Sequence, residues 1–153
     1  MFIVRLCKEL ESRGAQYAVA GGYAVALHGV VRGTIDVDIV LVLEKENLKI
    51  CEDVLKSLGL RSTLPLNSDD IFNNRETYIN ERNLIAWNFH NPDKMSEIVD
   101  IIITTDLSQV NYLTIEAFEQ NIKVLDIPSI IQMKTISGRP QDIEDIKALQ
   151  KLL

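Results

Sequence analysis

The sequence predicts an α/β (α+β) fold, a mixed sheet of about four to five strands with helices packed against it. Three observations predict it. Helix-period and strand-like segments alternate over residues 2–58. Later, two strand-like runs flank a turn signal at Asn91-Pro92-Asp93, the pattern of a hairpin. The chain has 153 residues, 46% apolar and 25% charged, enough to bury one self-sufficient core.

The elements follow in order. Residues 2–13 place Phe2, Ile3, Leu6 and Leu10 at helical spacing, and Gly14 closes that helix. Residues 16–20 (QYAVA) read as a short buried strand. Gly21-Gly22 reads as a turn, 23–29 as a helix ending near Gly29, and 30–34 as a loop. Residues 35–43 (IDVDIVLVL) are the clearest strand, rich in Val and Ile. Residues 45–58 form an amphipathic helix with Leu48, Cys51, Val54, Leu55 and Leu58 inward, stopped by Gly59. The polar stretch 61–82 has no clean period and is expected to be irregular, with at most a helical turn. Residues 83–90 and 97–103 are the two arms of the hairpin, and 113–125 is extended. Asp126 is placed to cap a helix over 127–136 with Pro128 in its first turn, and a last helix covers 140–152. No repeat or linker interrupts the chain, so residues 1–153 are expected to form one domain with the helices over 127–152 as part of it.

Composition narrows the classes. A disordered, collagen-like or low-complexity chain is excluded. The longest apolar runs, IVLVL at 39–43 and IVDIII at 98–103, are too short to span a bilayer, so no membrane partner is expected. No charged-then-apolar leader is present, and Cys7 and Cys51 lack disulfide or metal-ligand spacing; a reducing cytoplasm is the expected location. The net charge of −6 argues against broad nucleic-acid binding by charge alone.

Chemistry concentrates in 20–41, AGGYAVALHGVVRGTIDVDIVL. Asp36 and Asp38 stand two apart in an apolar strand, which puts them on one face about 6–7 Å apart. Two such carboxylates repel and lose hydration, and a divalent cation is a natural partner. Asp100 lies in a second apolar strand, EIVDIII. Taken alone, each aspartate also suits the solvent face of an edge strand. Together, on neighbouring strands, the three would form a patch able to hold two ions about 3.5–4 Å apart, the arrangement used in nucleotidyl transfer. Gly21-Gly22 lets backbone N–H groups approach a phosphate, although a lone Gly-Gly is also a plain tight turn. Arg32 and Thr34, in the loop before the aspartates, are placed to orient phosphates; Arg32 equally suits a surface charge. His28, His90 and Trp87 read as packing or structural residues, and Cys7 and Cys51 as core.

These residues resemble the motif of the nucleotidyltransferase superfamily that includes DNA polymerase beta. The match runs Ala20-Gly21-Gly22, thirteen residues from 23 to 35, then Asp36-Val37-Asp38-Ile39, with Asp100 as the third carboxylate. With His28-Gly29 and Arg32-Gly33-Thr34 the segment is most similar to bacterial abortive-infection toxin-type and uncharacterised nucleotidyltransferase-like proteins. It is less closely similar to small aminoglycoside and lincosamide nucleotidyltransferases. Residues 122–149 resemble the toxin-type segment in which a helix carries a Lys, followed by Gly-Arg and Asp: Lys134, Gly138, Arg139 and Asp142, with Asp145 one turn on. A local alternative leaves Lys134 solvated and pairs Arg139 with Asp142.

The resemblance implies a metal-dependent nucleotidyltransferase. Asp36, Asp38 and Asp100 would be catalytic and bind Mg²⁺ or Mn²⁺. Gly21, Gly22, Arg32, Thr34 and Lys134 would bind the nucleoside triphosphate. The acceptor would be RNA or tRNA, a protein or a small molecule, and a cognate partner protein would exist if the chain is half of a toxin–antitoxin pair. The alternative is a noncatalytic nucleotide-binding or protein-partner module with the same fold.

Overall fold

A computed structural model describes residues 1–153. It contains α1 (Phe2–Ser12), β1 (Tyr17–Ala20), α2 (Gly21–Leu27), β2 (Val37–Leu41), α3 (Lys45–Ser57), β3 (Arg61–Ser62) and α4 (Ser68–Arg82). These are followed by β4 (Ala86–Asn91), β5 (Lys94–Asp106), β6 (Tyr112–Ala117), β7 (Gln120–Leu125), α5 (Ile127–Ser137) and α6 (Pro140–Gln150). The strands form one mixed sheet in the order β3-β4-β5-β2-β1-β7-β6. β2 runs parallel to β5 and antiparallel to β1, and β1 runs parallel to β7.

The mixed sheet with flanking helices is as expected, but it has seven strands rather than four to five. The additional strands lie toward the edges. β3 is only two residues long. The single extended stretch expected over 113–125 is a β6/β7 hairpin. Its turn residues, Phe118 and Glu119, both take left-handed backbone angles, φ 55° and 62°. Turns of that kind ordinarily carry Gly or Asn, so no turn signal marks that position.

The stretch 61–82, expected to be irregular, contains the 15-residue helix α4. Only Ser68 and Ile71 of α4 are buried, which is why no apolar period marks it. Its ends are well made instead. The Asn67 side chain accepts from the Asp70 amide and the Asp70 carboxylate accepts from the Asn67 amide, both at 2.9 Å. Asn83 closes the other end in the left-handed region.

The core fills the sheet's centre and the faces under α1 and α3. Ile3, Leu6, Cys7 and Leu10 of α1 and Leu48, Cys51, Val54 and Leu55 of α3 are buried. Burial pushes the thiols of Cys7 and Cys51 up to about 12, in keeping with their reading as core. Buried Asn47 ties the ends of β1 and β2 together, bonding the Gln16 amide and carbonyl and the Val42 carbonyl. A His28 ring nitrogen lies 2.8 Å from the Leu125 carbonyl, and buried Trp87 donates to Ser62. No helix is long and apolar enough to cross a membrane.

Candidate active site

β2 is the middle strand of the seven and β5 is its neighbour, so neither aspartate strand is an edge. In the parallel β2/β5 pair Asp38 is the register partner of Asp100. Register partners point to the same face, so the two carboxyls oppose each other. The row continues on both sides: Ala20 of β1 partners Asp38, and Asn88 of β4 partners Asp100. Asn88 donates its side-chain amide to Asp100 Oδ1 at 2.6 Å.

Asp36 differs from expectation. The strand begins at Val37, not 35, and ends at Leu41, so Asp36 lies in a bend just before it and is exposed. It still belongs to the cluster electrostatically. Partial burial and the charge of Asp100 raise the pKa of Asp36. Asp38 feels more. Burial first, then the charge of and hydrogen bonding with Asp100, then Asp36, push it up to about 7, against a smaller opposing pull from Lys134. Crowded acids with raised pKa values oppose folding unless a cation or a proton is shared among them. No three acidic, His or Cys side chains stand close enough to enclose an ion by themselves.

The glycines are fitted to this cluster. Gly21 and Gly22 are not a separate turn but the first two residues of α2, which follows β1 directly. Gly21 has φ +61°, and a Cβ there would overlap the Asp38 carboxylate. A Cβ on Gly22 would lie 2.7 Å from Arg32 Nη1 and 2.9 Å from Thr34 Oγ1. Gly21 is required by both conformation and space, whereas a side chain at position 22 would displace the ends of Arg32 and Thr34.

Arg32 is no free surface charge. Its Nε donates to both oxygens of Asp145, at 2.9 and 3.1 Å. Asp145 also accepts from Gln141 and pairs with Lys134 at 2.9 Å. Lys134 is only 6% exposed and pairs a second time with Asp142, at 3.3 Å. It is therefore neither solvated nor open to a ligand in this structure. Arg139 pairs with Asp142 as the local alternative expected, at 2.9 Å. Burial alone would raise Asp142 and Asp145. Bonds from Arg139 and Ser137 to the one, and from Arg32 and Lys134 to the other, outweigh it and hold both below the usual carboxylate range. This network ties the loop before β2 to α5 and α6.

The structure thus brings Asp36, Asp38, Asp100, Gly21, Gly22, Arg32 and Thr34 into one neighbourhood, with Lys134 buried behind it. Two members were not singled out. Asn88 carries no motif; its signal was the alternation of WNF, which sets it on the face opposite Trp87 and Phe89. Asp145 was noted only as lying one turn beyond Asp142.

No protein-family model matches the chain, and neither does any curated protein. Solved structures do. The lincomycin-bound lincosamide antibiotic adenylyltransferase LnuA aligns with 99% of this chain and 96% of its own, at 13% identity and a TM-score of 0.67. ANT(2'')-Ia in complex with adenylyl-2''-tobramycin aligns over 96% and 84%, at 14% identity and 0.63. An antigenic nucleotidyltransferase-like protein from Paracoccidioides brasiliensis aligns over 98% and 74%, at 22% identity and 0.60. At these identities the likeness is one of fold, and the fold of this chain is that of nucleotidyltransferases.

Proposed function

We propose that this chain transfers a nucleoside monophosphate from a nucleoside triphosphate to a hydroxyl acceptor. The observation that carries the reading is the opposition of Asp38 and Asp100 on central parallel strands, with Gly21 against them. Two acids placed so are costly unless something cationic is shared between them. They fit a divalent cation, Mg²⁺ or Mn²⁺, with Asp36 at the mouth as a third candidate ligand. Mg²⁺ keeps waters and takes substrate phosphates as ligands, so a few carboxylates suffice to hold it. When bound, the cation would supply charge to offset the triphosphate and lower the pKa of the acceptor hydroxyl.

The remaining roles belong to the chain's own residues. Gly21 and Gly22 let the triphosphate approach the backbone at the start of α2. A phosphate arriving over Gly22 meets the Arg32 guanidinium and the Thr34 hydroxyl. Lys134 contributes positive charge from behind Asp38, held in place by Asp142 and Asp145. Asp100 takes the acceptor's proton or serves as a ligand. A bond forms between the acceptor oxygen and the α-phosphorus, the bond from that phosphorus to the β-bridging oxygen breaks, and pyrophosphate leaves.

The acceptor is a small-molecule, RNA or protein hydroxyl. The first is favoured by likeness to LnuA and to the adenylyl-2''-tobramycin complex. The toxin-like motif over 130–145 favours RNA or protein, with a neutralising partner protein and action in the cytoplasm. The test is transfer of α-labelled nucleotide from each triphosphate, with Mg²⁺, to tRNA, to protein and to a panel of aminoglycosides and lincosamides. Label should enter one acceptor class with wild type and not with Asp38→Asn. No incorporation by wild type into any acceptor, or equal incorporation by both proteins, would sink the reading and leave the noncatalytic binding module.

A further inference from the structure

The fourth member of the row across the sheet is Asn88, to which nothing in the motif assigns a role. Its side chain and that of Asp100 face each other from paired strands, and their 2.6 Å bond is shorter than an ordinary amide donor makes. The rest of β4 holds Asn88 still. Buried Trp87 and Phe89 pack edge to face on the other side, 4.6 Å between ring centres. The Asn88 carbonyl accepts from the Thr63 amide at 2.9 Å.

The residue type matters. An aspartate carboxyl rotates broadly about its last torsion, so a free Asp100 would not keep one oxygen toward Asp38. A cationic donor at position 88 would compete with a metal ion for the same carboxylate. An acidic residue would add a third like charge to the pair. An uncharged amide fixes one oxygen and leaves the charge of the group available.

We propose that Asn88 is a positioning residue, which fixes Asp100 so that it and Asp38 together present oxygens to a divalent cation. This rests on the reading of the site given under Proposed function. It makes the row across the sheet four residues wide, from Ala20 through Asp38 and Asp100 to Asn88.

The test is Mn²⁺ binding by the full chain, followed by calorimetry with a nonhydrolysable nucleoside triphosphate present, alongside thermal melting. Asn88→Leu, which fills a similar volume, should weaken Mn²⁺ binding at least tenfold with little change in melting temperature. Asn88→Gln, which keeps an amide donor, should recover part of the loss. Binding by Asn88→Leu within twofold of wild type overturns the proposal and leaves the site reading intact. Absence of Asp38-dependent Mn²⁺ binding in wild type overturns both. Should Asn88→Leu not fold, side-chain amide NMR of the metal-free wild type decides. One Asn88 amide proton should be shifted downfield and slow to exchange, and Asp100→Ala should abolish both features. An unshifted, fast-exchanging amide overturns the proposal.

Discussion

Gly21 lies against Asp38 so closely that the carboxylate occupies the space where a Cβ would stand. The end of β1, the start of α2 and the middle of β2 are thereby locked into one arrangement. Gly21→Ala should cost about 2–4 kcal/mol of stability, combining a left-handed backbone with overlap. In an Asp38→Ala background the overlap is gone, and the same change should cost only about 1–2 kcal/mol. Denaturant unfolding of the four proteins in the cycle measures the difference.

Asp38 makes the metal-free protein pH-sensitive. Its folded pKa is raised to about 7 from 3.8, first by burial and then by Asp100. Between those values the folded state keeps a proton that the unfolded state has lost, so unfolding free energy falls as pH rises from about 4 to 7. Asp142 and Asp145, with lowered pKa values, act in the opposite sense at lower pH, losing their contribution as pH falls below about 4. Asp38→Asn should therefore stabilise the protein by roughly 1–2 kcal/mol at pH 8 in chelator, and much less at pH 5. Melting curves at the two pH values check this.

Asp145 joins Arg32 to Lys134. Asp145→Ala leaves Lys134, nearly buried, with Asp142 alone, and should cost about 3–5 kcal/mol. Arg32→Ala leaves Asp145 with Lys134 and Gln141 and should cost less, about 1–2 kcal/mol. An equal loss from both changes would contradict the network. Chemical denaturation reads both values.

Helix α4 rests on its ends more than on its face. Asn67→Ala removes the acceptor of the Asp70 amide, while the residue-67 amide can still donate to the Asp70 carboxylate, and should cost about 1 kcal/mol, with faster amide exchange in the first turn. Hydrogen exchange by NMR localises the effect.

What the sequence revealed follows from where each signal lives. Asp38 and Asp100 stood out because charge inside an apolar strand has few explanations, and Asp36 because it stands two positions before Asp38. Asp126 and Pro128 announced α5 because capping is local chemistry, and the Asp126 side chain does accept from the Ser129 amide. The same kind of signal at Asn67 and Asp70 was overshadowed by the missing apolar period of α4. The β6/β7 turn was invisible because Phe118 and Glu119 are held in a conformation they do not prefer. That Asp100 shares a face with Asp38 depends on strand register, which alternation within either strand does not encode. The Arg32–Asp145 pair spans 113 positions, and no local pattern points across that distance.

In the proposed function, Asp38 and Asp100 share a divalent cation beside a nucleoside triphosphate seated at Gly21 and Gly22. Anomalous diffraction from crystals soaked with Mn²⁺ and a nonhydrolysable triphosphate tests it most directly. A manganese peak bonded to oxygens of both aspartates is expected, with phosphate oxygens completing its shell over the start of α2. Triphosphate bound elsewhere, or Asp38 and Asp100 bare of metal at saturating Mn²⁺, would contradict it.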